Sequence, residues 1–256
     1  MKVHYGVDVV NDSPVLRSAV AVPGGETTVE RLPFTVSIVR SDEQLDKAVT
    51  IRHSAYARHV PDFAERLKVP EPCDYEKDSV ILLAESKLDG SPLGTMRIQT
   101  NRYSPLALEQ SVELPDWLQG CSLAGASRLG LALGRMGRVV KAMLFKAYFR
   151  YCEQNGINWM VIAARAPLDR HYEALLFRDV FPEQGFIPLR HASNIPHRVM
   201  AFEVDNAEVR WSAAHHPLFD YVYRTHHPDL DLGHETPFYG AVRQPGMPIY
   251  DVQRPQ

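Results

Sequence analysis

The stretch Ala126-Ser-Arg-Leu-Gly-Leu-Ala-Leu-Gly-Arg-Met-Gly-Arg-Val-Val140 constrains the fold more than any other part of the chain. Its first half alternates with period two, the spacing of a β-strand. Leu129, Leu131 and Leu133 share one face and require a core, while Arg128, Gly130 and Ala132 share the other. Apart from the arginine, that second face has almost no side-chain volume, so a ligand chain or a backbone fits close against it. The strand ends at Gly134-Arg-Met-Gly137-Arg138, and an apolar-periodic helix is expected from Val139 to about Cys152. A strand, a glycine turn and a helix N-terminus offer an anion free backbone N–H groups and the positive end of a helix dipole. Arg135, Arg138 and Lys141 add full charges there. The stretch is either a pocket for the phosphate-bearing arm of a cofactor or an ordinary α/β unit with surface arginines.

Upstream, Phe34-Thr-Val-Ser-Ile-Val39 alternates as a first strand. Ser41-Asp-Glu-Gln44 supplies an N-cap and acidic first turn for a helix running to about Tyr56. Its inner stripe is Leu45, Val49, Arg52 and Tyr56. An arginine in that stripe either pairs with a carboxylate or ligand, or snorkels its head to water. Residues 58–78 read as a loop carrying Asp62, Glu65, Glu71, Asp74, Glu76 and Asp78. These form a solvated acidic loop, or one or two of them reach back to Arg52. Ser79–Ala84 is an apolar strand, Leu88–Ser91 a turn, and Gly94–Gln99 the return strand of a hairpin. Thr95, Arg97 and Gln99 share one face of it, directed either into a site or into water.

Residues 101–123 read as a loop with short helical pieces, one opening at Leu114-Pro-Asp-Trp117. In the long helix, Val140, Leu144, Ala147, Tyr148 and Tyr151 form the core stripe, with Lys141, Lys146 and Arg150 off it and Gly156 closing it. Trp159–Ala164 is a further strand, Pro167–Tyr172 opens a helix and Val199–Val204 is a late strand.

The length of 256 residues fits one domain with extensions. An N-terminal extension (1–33), a main domain (34–205) and a Pro/His-rich C-terminal arm packing on it (206–256) are the expected divisions. A net charge of −3 provides no global basic field, so no nucleic-acid partner is expected. No apolar run reaches membrane-spanning length and the N-terminus has no signal-peptide pattern. Three widely spaced cysteines, Cys73, Cys121 and Cys152, suit a reducing compartment, and the expected location is cytoplasmic. The histidines His215, His216, His226, His227 and His234, near Asp229, Asp231 and Glu235, fit no structural zinc spacing. No metal is expected, and an arm wrapped on the domain is the favoured reading.

The order strand, helix, acidic loop, hairpin, strand-turn-helix, strand, helix, strand resembles the GNAT acyltransferase superfamily. The resemblance implies an α/β fold, a central mixed, mostly antiparallel sheet flanked by helices. That superfamily binds the cofactor pyrophosphate on a Gln/Arg-x-x-Gly-x-Gly/Ala turn, of which Gly134-Arg-Met-Gly137-Arg-Val139 keeps the central glycine. Over roughly 36–204 the chain more closely resembles the autoinducer (acyl-homoserine-lactone) synthases and, nearer still, the N-acyl amino acid synthases. Arg52-His-Ser-Ala-Tyr56 stands for their Arg-x-x-x-Phe, Asp74 and Asp78 for their two loop aspartates, Arg97 for their hairpin arginine and Ser127-Arg128-Leu129 for their Ser-Arg-Phe. Gly125 replaces a glutamate that helps the autoinducer synthases handle the amine.

The resemblance implies an N-acyltransferase that moves a fatty acyl group from acyl carrier protein to the amino group of an amino acid or related amine. It implies no tightly bound cofactor, the donor being acyl-phosphopantetheine on the carrier. The thioester would lie along Gly130, Leu131 and Leu133, with a backbone N–H holding the oxyanion, and the acyl tail would enter a slot beside Trp159–Ala164. Arg135, Gly137, Arg138 and Lys141 would meet the donor's phosphate and the acidic carrier. Arg52, Arg97 and Arg128, with Asp74 and Asp78, would form an ion-pair lattice at the pocket floor, beside Tyr56 and Ser127. One of those arginines instead grips the acceptor carboxylate in the alternative arrangement. Asp78 or a water is the expected base, and Tyr172 either protonates the leaving thiolate or simply packs its helix. The other functional readings are an acyl-CoA-dependent enzyme of the same fold and a non-catalytic sensor that binds acyl carrier or lipid.

Overall fold

An unbroken apolar run such as Val80–Ala84 is satisfied by a strand covered on both faces. The computed structural model describes residues 28–233 and places that run inside a mixed sheet. The elements are β1 (Thr28–Val29), β2 (Phe34–Ile38), α1 (Asp42–Ala57), α2 (Pro61–Ala64), β3 (Ser79–Ser86), β4 (Pro92–Thr100), β5 (Leu123–Leu131), α3 (Arg135–Gln154) and β6 (Trp159–Ala164). They continue with α4 (Asp169–Ala174), β7 (Arg178–Asp179), β8 (Ile187–Leu189), β9 (Ile195–Glu203), α5 (Ala207–Ala213), β10 (Thr225–His226) and β11 (Leu230–Asp231). Strand order is β11-β2-β3-β4-β5-β6-β9-β7, with β8 paired to β9. The pairs β5·β6 and β11·β2 are parallel; the others in this sheet are antiparallel. This is the mixed, mostly antiparallel sheet expected from the sequence.

Alternation along each strand builds two layers. Ile81 and Leu83 face α1, where they meet Leu45, Ala48 and Val49. Val80, Leu82 and Ala84 face α3, against Val140, Leu144 and Tyr148. The segment 101–121, expected to carry a helix at Leu114, crosses the α1-side face of β5, β6 and β9 instead. Leu106, Leu108, Leu114 and Leu118 pack there on Trp159, Val161 and Val199. A bond from Leu118 N to Pro115 O (2.8 Å) makes Leu114–Trp117 the start of a turn. Ser41 caps α1 as expected, its hydroxyl accepting from Gln44 N.

Helix α3 begins at Arg135, four residues before the expected Val139. Gly134 takes a left-handed φ of 92° there, so the chain turns at once from strand to helix. The strand therefore stops at Leu131, and Leu133, expected in the core, is 76% exposed.

Residues 207–232 add Trp211, Val222 and Leu232 to the α3-side core. Residues 1–27 and the tail from His234, including Glu235, lie outside the described residues. Among the described residues no group of three His, Cys, Asp or Glu side chains could hold a metal ion. No described helix is long and apolar enough to cross a membrane. Lys146 corrects the helical-stripe reading, because it is buried rather than off the core. Its Nζ donates to the carbonyls of Tyr221 (2.7 Å) and Thr225 (2.6 Å) and meets Nδ1 of His227 at 2.8 Å. Burial pushes its pKa down to about 7. Lys146→Met strands two buried carbonyls, and urea denaturation is expected to read a loss of about 2 kcal/mol.

Candidate active site

Strands β5 and β6 pair from Leu123↔Trp159 to Ala126↔Ile162 and then part, although β5 runs on to Leu131 and β6 to Ala164. Beyond Ala126, β5 has a strand neighbour among the described residues on its β4 side alone. The gap is a cleft of about 320 Å³, walled by Ala126–Leu129 and Leu131 on one side and Ala163–Arg165 on the other. That volume lies in the range of small-molecule sites.

A bulge sets the phase of β5. Arg97 pairs with Ser127 but Thr95 pairs with Gly130, so β5 carries one residue more than β4 between them. Arg128 takes a left-handed φ of 56° at this point. Upstream, Ala124 and Ala126 face α3; downstream, Leu129 and Leu131 do. The guanidinium of Arg128 enters the α1 side, where Nε and Nη2 donate to Glu71 Oε2 (2.6 Å) and Oε1 (2.7 Å). It also lies 5.0 Å over the Phe63 ring.

Glu71 is the hub of the lattice. Its Oε2 also accepts from Arg97 Nη1 (3.1 Å) and Arg52 Nη1 (3.4 Å). Asp74 takes the fork of Arg52 at 2.8 and 3.0 Å, accepts from Arg97 at 3.1 Å and caps Glu71 N at 2.8 Å. The side chains of Arg52 and Asp74 are 0% exposed. Burial opposes ionisation of both carboxyls. Arg128 at Glu71 and Arg52 at Asp74, each aided by Arg97, outweigh it and hold both below the usual carboxylate range. Three guanidinium groups against two carboxylates leave one positive charge in excess.

Asp78 does not join this lattice, which corrects the expectation that paired it with Asp74. Its backbone carbonyl accepts from Thr100 N (2.8 Å), fixing it at the entry to β3. There its Oδ2 accepts from Ser104 Oγ (2.7 Å), away from the cleft walls. Gly130 is not open to a ligand chain on its bare face either. A Cβ there would lie 2.9 Å from the Arg52 Cα, so the empty face accommodates the backbone of α1.

Of the other predicted residues, Tyr56, Ser127, Leu131, Lys141 and Tyr172 line the cleft with Arg128, while Arg52, Arg97 and Asp74 lie behind it. Leu133, Arg135 and Arg138 are exposed on the turn and first turn of α3. Lys141 has its pKa lowered by burial and by Arg138. The Leu131 carbonyl is taken by Arg58 Nη2 (2.6 Å). Tyr172 packs edge-on against Phe177 at 5.4 Å, and burial, then Tyr56, push its hydroxyl up to about 12.

Gly137 lets the start of α3 press on the end of β5. A Cβ there would sit 2.2 Å from the Ala132 carbonyl oxygen. Gly137→Ala is therefore expected to cost roughly 1–3 kcal/mol in chemical denaturation and to weaken donor binding, because the turn must open.

Three groups went unpredicted. Glu71 had no signal separating it from its five acidic neighbours. His191 and His197 line the cleft near the β8–β9 hairpin, where no sequence pattern marked them. Among the described residues no carboxylate lines the cleft.

No family model and no curated protein matches the sequence. Solved structures do resemble the fold. The N-acyl amino acid synthase FeeM from uncultured soil microbes is 18% identical, with 71% of this chain and 96% of that chain covered and a TM-score of 0.55. The CoA-dependent acyl-homoserine lactone synthase BjaI is 14% identical over 76% of this chain and 93% of its own, at a TM-score of 0.49. A GNAT-family protein from Desulfovibrio desulfuricans is 10% identical over 67% and 99%, at 0.47. The chain shares the fold of that N-acyl amino acid synthase.

Proposed function

We propose that the protein is an N-acyltransferase that moves a fatty acyl group from acyl carrier protein to the amino group of an amino acid or related amine. The observation that carries this reading is the parting of β5 and β6 beside the N-terminus of α3. That gap can seat a thioester against an unpaired strand edge, with its tail between two strands and its phosphate arm at a helix start. The likeness of the fold to an N-acyl amino acid synthase supports the same choice.

In this reading the donor carbonyl lies along Ser127–Leu131, where a backbone N–H holds the tetrahedral oxyanion. Ala126, Ala163 and Ala164 are small enough to leave room for an acyl chain. Lys141, Arg135 and Arg138 meet the phosphate, and the two exposed arginines meet the acidic carrier. Arg52, Arg97 and Arg128 are committed to Glu71 and Asp74, so they brace the floor rather than bind the acceptor. Arg165 lines the cleft without a carboxylate partner among the described residues and receives the acceptor's carboxylate. Tyr172 returns a proton to the departing thiolate, so the C–S bond breaks as the C–N bond persists.

Lipid extracts of cells expressing the wild type should contain N-acyl amines missing from cells carrying the empty vector and depleted in cells expressing Tyr172→Phe. Wild-type extracts identical to those of the empty vector would sink the reading. Thiol release that falls steeply with salt for carrier-bound donor, and is slower with acyl-CoA, identifies the carrier as donor; the opposite preference identifies CoA.

A further inference from the structure

An acceptor amine is an ammonium ion near neutral pH and must lose a proton before it attacks. Asp78 is held by Ser104, and Glu71 and Asp74 are locked among three arginines, so none of these carboxylates can take that proton in the cleft. We infer that His197 is the general base, a role that rests on the acyl-transfer reading.

The geometry sets its tautomer. Nδ1 of His197 lies 2.6 Å from the carbonyl oxygen of Ile195, an acceptor, so Nδ1 carries the hydrogen. Nε2 therefore keeps its lone pair on a ring that lines the cleft. His197 precedes Arg198, which pairs with Ala164, the last residue of β6. His197 thus stands one residue past the last β6–β9 pair, at the end of β6 that walls the cleft. Arg165 lies beside it on the loop after β6, and His191 beside it on the turn after β8. Arg128, Lys141, Tyr56 and Tyr172 line the other walls. Burial, then Arg165, lowers its pKa despite the Ile195 bond, so the ring is neutral and able to accept a proton at pH 7. The Nδ1 of His191 is buried without a hydrogen-bond partner, and burial, then Arg128, push its pKa down to about 4 against the raising effect of the Ala107 backbone.

The step balances. Nε2 takes one proton from the ammonium, and the freed nitrogen lone pair forms the C–N bond. The oxyanion collapses and the C–S bond breaks. Tyr172 supplies a proton to the thiolate and is made good by the second proton that the newly bonded nitrogen gives up, leaving one net proton to pass from His197 to solvent.

The test uses the purified full chain, decanoyl and palmitoyl thioesters of acyl carrier protein and of CoA, and a pool of the twenty amino acids. His197→Ala should lower kcat about 100-fold with the donor KM within twofold, and added imidazole should restore part of it. Wild-type kcat at saturating acceptor should show an acid limb below the ordinary histidine value of 6.5, kept in His191→Gln and lost in His197→Ala. Unchanged kcat in His197→Ala, or loss of the limb with His191 instead, overturns the assignment and leaves the acyltransferase standing. A folded His197→Ala that imidazole does not rescue also overturns it. Amide formation absent from the wild type overturns both.

Discussion

Asp74→Ala is expected to lower the unfolding free energy by about 3–5 kcal/mol, the cost of stripping one partner from a buried ion pair. The Arg52 side chain is fully buried, and Asp74 receives both arms of its fork. Without that carboxylate, Arg52 retains Glu71 at 3.4 Å, and Arg97 retains it at 3.1 Å. Glu71 would then face three guanidinium groups alone. For a chain of this size the melting midpoint should fall by roughly 10 °C. Acid sensitivity should change with it. Both lattice carboxyls are held below their usual range, so their stabilisation is complete above the unfolded value near 4 and is lost as pH falls from there through the lowered folded values. The variant should lose part of this acid-dependent fall. A change under 1 kcal/mol would mean that the lattice does not brace the floor.

Tyr172→Phe separates two readings of one residue. Phenylalanine keeps the edge-on contact with Phe177 and removes only the hydroxyl. A hydroxyl held up at about 12 retains its proton at neutral pH and has one to give to a thiolate. As proton donor, its loss should lower kcat about 100-fold, with the melting midpoint and donor KM unchanged. Wild-type turnover in the variant would make Tyr172 a packing aromatic.

Much of the scaffold was legible because it rests on local pattern. The apolar run at Val80–Ala84, the Ser41 cap and the stripe of α3 each follow from residues a few places apart. Arg52 and Arg97 were singled out from pattern with two outcomes open, pairing or exposure to water, and the carboxylates of the loop decide for pairing in both. What escaped depends on long-range placement. Glu71 is fixed inside by a three-residue helical turn at Pro72–Asp74, while Asp78 swings to Ser104; the resemblance singled out Asp74 and Asp78, and composition ranks Glu71 no higher than its neighbours. The bulge at Arg128 is a single inserted residue, visible only against its partner strand. Lys146 is buried because carbonyls 75 and 79 residues downstream return to it. His197 acquires its tautomer from Ile195 but its meaning from β6, which the hairpin brings alongside.

The most direct measurement incubates the purified protein with acyl-carrier and acyl-CoA thioesters and the amino-acid pool, and reads the products by mass spectrometry. The account predicts an amide whose mass is that of the fatty acid plus one amino acid less water, formed in step with free thiol. Intact thioester, or thiol released with free fatty acid and no amide, would contradict it.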